Sequence, residues 1–174
     1  LQRDLITTYR DDFNKYRGRV PADLLRHVMD AIPRQLAGRF VYSHVDVDAK
    51  HRDIKRALEL LQLARVCHRV EHTAANGLPL GAETNPRTFK SILVDIGLAS
   101  VRLGLSRLDL RDLDSVVWAN KGSLAEQFVG QHLRCLSRAF EDPRLFYWQR
   151  VAGRQSEIDY IIQHGNQIVP VEVK

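Results

Sequence analysis

The chain has 174 residues, 44% of them hydrophobic and 27% charged, with a formal net charge of +5. That composition is ordinary for a globular chain of one domain or two small ones, and no apolar run reaches the roughly eighteen residues a membrane span needs. Arginine far outnumbers lysine, and the positive excess lies mostly in the first half; this permits a phosphate-rich partner without demanding one.

The spacing predicts a first helix from residue 1 to about 16, ended by Gly18. A second helix is expected from Pro21 to Ile32, because Leu24, Leu25, Val28, Met29 and Ile32 recur at helical spacing. Pro33 stops it; a short helical turn over residues 34–38 and an extended Phe40-Val41-Tyr42 follow. The next helix runs from about Asp48 to Ala64, with Ile54, Ala57, Leu58, Leu61 and Ala64 as its apolar stripe. Lys50, Arg52, Lys55 and Arg56 fall off that stripe near its start.

Residues 66–73 read as a strand, Asn76-Gly77 and Pro79 as a loop, and Phe89 to Val94 as a returning strand. Asp95-Ile96-Gly97 turns the chain into a short helix. Three helices, the last of them basic, followed by a two-stranded wing is the order of a winged-helix module. Residues 105–119 read as a connector, which places a boundary near 105. Asn120 is positioned to cap a helix from Lys121 to about Phe140, with Leu124, Phe128, Val129, Leu133, Leu136 and Phe140 on one broad face and Glu126 at its edge. Residues 145–151, 158–162 and 168–174 then read as three strands. The fold class is α+β.

The last two strands are joined through Gly165-Asn166, a dipeptide that closes two-residue hairpins. With that turn at the tip, His164 pairs with Gln167 and Asp159 falls opposite Glu172. Carboxylates so placed lie about 5 Å apart and repel, so something positive is expected between them; hard oxygen ligands suit Mg²⁺ or Mn²⁺. Glu157 and Lys174 share strand faces with Asp159 and Glu172 by two-residue spacing, which makes Glu157 a reserve ligand. A one-residue slip of register would separate the two carboxylates. Pro170 cannot donate a ladder hydrogen bond and implies an edge strand or a bulge.

A glutamate on a helix, an aspartate entering the second strand and Glu-x-Lys on the third, here Glu126, Asp159, Glu172 and Lys174, resemble the layout of the PD-(D/E)xK nucleases. Over a wider span the chain resembles the C-terminal region of a prokaryotic family of AAA-type ATPases. That likeness rests on residues 32–36, Phe89-Lys90, residues 95–98 and 121–129, Tyr147-Trp148, and residues 157–160 and 171–174. It implies a winged-helix-like module over residues 1–105 and a nuclease-like αβββ domain over 106–174, incomplete at its C-terminus, with the chain being part of a longer cytoplasmic protein. It further implies Asp159 and Glu172 as ligands of Mg²⁺ or Mn²⁺, Lys174 orienting the attacking water or neutralising charge on the phosphate, Glu126 completing the metal shell, and DNA and an ATPase domain as partners.

Three functions follow as expectations. The first is Mg²⁺-dependent cleavage of DNA; the second is a non-catalytic nucleic-acid-binding or assembly module with a degenerate nuclease-like site. The third is a dimerisation domain, favoured if the Phe146 and Trp148 face is exposed. Arg52, Lys55 and Arg56 either meet DNA or form a solvated face, and Lys174 alternatively pairs with Glu172. His68, His72, Cys67 and Cys135 read as structural. No G-x-x-x-x-G-K-[ST] occurs, so there is no P-loop for ATP here.

Overall fold

A computed structural model describes residues 1–16, 20–105, 121–137, 141–150 and 156–174. Helix α1 spans Gln2–Asp12 and runs into a 3-10 turn, Phe13–Tyr16. Helix α2, Ala22–Ala31, buries Leu24, Leu25, Val28 and Met29, four of the five positions picked out by helical spacing; Ile32, the fifth, is also buried, at its C-cap. Pro33 opens a separate 3-10 turn, Pro33–Gln35, as expected of a residue that cannot continue the ladder. Helix α3, His51–Leu63, turns Ile54, Ala57, Leu58 and Leu61 inward.

Strand β1, Cys67–Thr73, pairs antiparallel with β2, Thr84–Leu93. The Asp95 carboxylate caps α4, Ile96–Arg102, by accepting from the Gly97 amide at 2.8 Å. Helix α5 spans Lys121–Cys135, so the expected cap Asn120, the turn residue Gly18 and the helix end at Phe140 lie outside the described residues. Strands β3, Leu145–Gln149, β4, Glu157–His164, and β5, Gln167–Val171, complete the chain.

The strands form one mixed sheet in the order β2-β1-β3-β4-β5. The expected wing is therefore not free-standing. One edge of β1 carries β2, and the other pairs in parallel with β3, Val70 opposite Leu145 and His72 opposite Tyr147. The sheet crosses residue 105, and one core joins Leu25, Ile54 and Leu98 to Leu124, Tyr147 and Tyr160. Periodicity reports which face of an element is apolar, but it does not report which neighbour covers it.

The hairpin follows the predicted register, with His164 opposite Gln167 and Tyr160 opposite Val171. Pro170 sits on the edge strand, where its missing N–H costs no ladder bond. The strand ends earlier than expected, at Val171, because the Val173 amide donates to the Asp159 carboxylate (2.9 Å) instead of to a strand carbonyl. Phe146 is buried and Trp148 partly buried; they pack with Leu80, Ile158, Ile161 and Ile168 in a second cluster.

Candidate functional site

Helix α5 keeps Leu124, Val129 and Leu133 of its expected face against the core but is turned away at Phe128. Its buried positions are Leu124, Glu126, Gln127 and Gly130, whereas Phe128 is 48% and Leu136 78% exposed. Beside Leu124, Val129 and Leu133, which pack into the core, the side turned to the protein carries polar residues because it meets the end of β2 and the start of α4, where backbone groups lie beyond the ladder and need partners. The Gln127 side chain accepts from the Leu93 amide at 2.8 Å and donates to the Leu93 carbonyl at 2.9 Å. One turn on, Gln131 accepts from the Ile96 amide at 2.9 Å. Gly130 lets the helix approach the sheet, since a Cβ there would lie 2.8 Å from Tyr160 Cζ and 3.1 Å from Ile92 Cδ1. The Tyr160 hydroxyl donates to the Glu126 carbonyl at 2.8 Å.

This close approach buries Glu126, which is 5% exposed, and the positive group that meets it is a lysine. Lys90, on β2 and 1% exposed, places Nζ 2.7 Å from Glu126 Oε1. The same ammonium pairs with Glu157 at the start of β4 and lies 5.0 Å from the centre of the Tyr147 ring. A β-bulge supports this meeting. Phe146 pairs with Ile161 but Trp148 with Ile158, so β4 carries one extra residue between those pairs. Strict two-residue alternation fails there, and Glu157 and Tyr160, three apart, both reach the α5 side.

Burial leads in raising the Glu126 carboxyl above its ordinary range; Lys90 opposes the rise, while Asp159 and Glu157 add to it. Burial also pushes the Tyr147 hydroxyl up to about 12, with Glu157 contributing, and that hydroxyl has no hydrogen-bond partner among the described residues. Asp159 is thus an electrostatic neighbour of Glu126, and it is held by the Val173 amide. Glu172 and Lys174 are exposed, beyond the end of β5, and form no ion pair with each other. The structure brings Glu126 and Glu157 together on Lys90, with Asp159 an electrostatic neighbour of Glu126; it leaves Glu172 and Lys174 on the surface.

These donors do not fit a divalent cation as they stand. Lys90 holds one oxygen each of Glu126 and Glu157, an amide holds one oxygen of Asp159, and among the described residues no three His, Cys, Asp or Glu side chains are grouped to hold a metal. Reasoning from sequence did not single out Lys90 as part of the site. A lysine between Phe89 and Ser91 in a run that buries both faces was the available signal, since lysine is almost never fully buried unless paired.

Arg52, Lys55 and Arg56 all lie on the exposed side of α3. Arg52 is near Asp53 at 3.5 Å and Lys55 near Glu59 at 3.8 Å. His72 is buried and meets the Gln149 carbonyl through Nε2 at 3.0 Å, joining β1 to the end of β3.

Together these features define an α+β protein whose helical N-terminal part and five-stranded mixed sheet share a core, with a lysine–carboxylate cluster at their junction. No curated protein and no solved structure matches the chain. It belongs to the family described as a domain of unknown function (DUF8612), which matches residues 1–109. Residues 121–174 match a second domain of unknown function (DUF4143), commonly found in AAA-ATPase-associated C-terminal regions. Among the described residues no helix is long and apolar enough to cross a membrane.

Proposed function

We propose that this chain is a non-catalytic binding module accompanying an AAA-type ATPase, in which a nuclease-like carboxylate cluster serves as an ion-pair joint. The observation that carries this reading is Lys90, buried between Glu126 and Glu157. A phosphodiesterase of the PD-(D/E)xK type needs its helix glutamate and strand acids free to hold a cation and its bound water. Here an ammonium from β2 takes one oxygen of the helix glutamate, Glu126, and one of Glu157. The same contact fastens α5 and β4 to β2, making the cluster a link between the two matched segments. The winged-helix-like order of α1 to β2 suits a scaffold that positions a partner. DNA is the partner that the resemblance implies, and the ATPase domain is the expected neighbour.

A second reading, Mg²⁺-dependent DNA cleavage, draws support from the helix-strand-strand-strand order and from Asp159 lying near Glu126. Calorimetric titration with Mn²⁺, paired with a plasmid-nicking assay, separates the two. The non-catalytic reading expects no saturable heat and no nicking. Saturable binding that disappears in Asp159→Ala and Glu172→Ala, together with nicking, would establish the nuclease instead.

A further inference from the structure

Away from the lysine–carboxylate cluster, four arginines line a groove between the end of α3, β1, the end of α5 and the segment leading into β3. The groove has a volume of about 580 Å³, and its walls carry Arg65, Arg69, Arg134 and Arg144 against Glu59, Glu71 and Asp142. The guanidinium groups are held in place. Arg69 lies 4.0 Å from the centre of the Phe89 ring and donates to the Pro86 carbonyl at 2.9 Å. Arg144 lies 5.1 Å from the centre of the Phe146 ring and pairs with Glu71 at 2.5 Å. Arg134 donates to the Pro143 carbonyl at 2.6 Å. A planar cation already fixed by stacking loses less freedom on meeting an anion, and its fork matches phosphate oxygens.

Arg65 differs from the other three. It is exposed, has no ion pair among the described residues, and sits just past α3 with φ +57°. Its amide donates to the Gln62 carbonyl and the Val66 amide to the Leu61 carbonyl, a helix ending that usually takes glycine. The chain therefore presents a guanidinium at a position where glycine would be less strained.

His68, in the same wall, is held down to about 4, first by burial and then by Arg134 and Arg65. At neutral pH it is an uncharged hydrogen-bonding group among the arginines. The carboxylate of Asp142 is 87% exposed and free to turn away from Arg134. The groove also continues onto the basic face of α3, because Glu59 in its wall is the partner of Lys55.

We propose that this groove binds the phosphodiester backbone of a nucleic acid, which then runs over Lys55, Arg52 and Arg56. The inference rests on the binding-module reading and adds its surface and partner. It is tested by fluorescence anisotropy of short labelled single-stranded and duplex DNA, titrated with the whole chain across about 50 to 200 mM salt. Affinity should fall steeply with salt, and binding of either DNA supports the proposal. Arg65→Glu should weaken binding by about tenfold or more and lower the salt slope by roughly 1–2. Arg65→Gly removes the charge while relaxing the backbone, so it should weaken binding without loss of thermal stability. Asp142→Asn should tighten binding a few-fold.

Failure of both DNAs to bind at low salt overturns the proposal, as does unchanged affinity in both Arg65 variants. These outcomes are independent of metal. Failure of the non-catalytic reading would show as Mn²⁺-dependent nicking, whereas failure of the groove would show as lost or mutation-insensitive binding.

Discussion

Replacing Lys90 with methionine tests the central joint. The substitution keeps the length of the stem and removes the ammonium, leaving the Glu126 carboxylate, 5% exposed, without its cation at 2.7 Å. Removing one partner of a buried pair costs about 3–5 kcal/mol because the remaining charge stays desolvated. For a chain of this size that corresponds to a fall in Tm of roughly 6–20 °C. Glu157 contributes less, since its side chain is 26% exposed and water can reach it.

The loss has a definite pH dependence. Glu126 already has a native pKa above its ordinary value of 4.5, so the native state binds its proton more readily than the unfolded state. Its ionisation therefore costs stability as pH rises above about 4.5 through the raised native value, and that cost is relieved on acidification. Lys90 opposes the shift, so Lys90→Met should enlarge it and recover part of its deficit as pH falls towards 4.5. Lys90→Met/Glu126→Gln should be more stable than Lys90→Met alone, since no buried charge is left unpaired. Urea unfolding followed by tryptophan fluorescence, for the two single variants and the double, gives the coupling energy. A Lys90→Met variant within about 1 kcal/mol of the parent, or a double variant losing the sum of the singles, would refute the ion-pair joint.

Gly130→Ala should destabilise by about 1–3 kcal/mol despite alanine's better helix propensity, because the added methyl meets Tyr160 and Ile92; urea midpoints measure this. Cys135 is exposed, while Cys67 is buried and its thiol is pushed up to about 12 by desolvation. One thiol should therefore react rapidly with an aromatic disulfide reagent in the native chain, and the second only on unfolding. His68 has its native pKa lowered to about 4 from an ordinary 6.5. Its contribution is fully present above about 6.5 and is lost as pH falls from there through 4. His68→Gln should flatten that part of the stability–pH curve measured by urea unfolding.

Much of the local structure follows from the sequence alone. Apolar spacing defines α2 and α3, Pro33 ends one helical run, Asp95-Ile96-Gly97 turns the chain into α4, and Gly165-Asn166 sets the register of the last hairpin. Each of these depends on a few neighbouring residues and their backbone preferences. Electrostatic repulsion led from the sequence to a positive group between Asp159 and Glu172, whereas the structure sets a lysine against Glu126 and Glu157. That pairing was not legible, because Lys90 lies 36 residues before Glu126 and reaches it only when α5 crosses β2. The orientation of α5 was decided the same way: Gln127, Gln131 and Glu126 satisfy backbone and side-chain partners that a helical wheel cannot contain. The parallel pairing of β1 with β3 and the bulge in β4 are likewise non-local. Periodicity along the chain says which side of an element seeks cover, and tertiary structure decides what provides it. In this protein the cover for the acids is a lysine from the other segment.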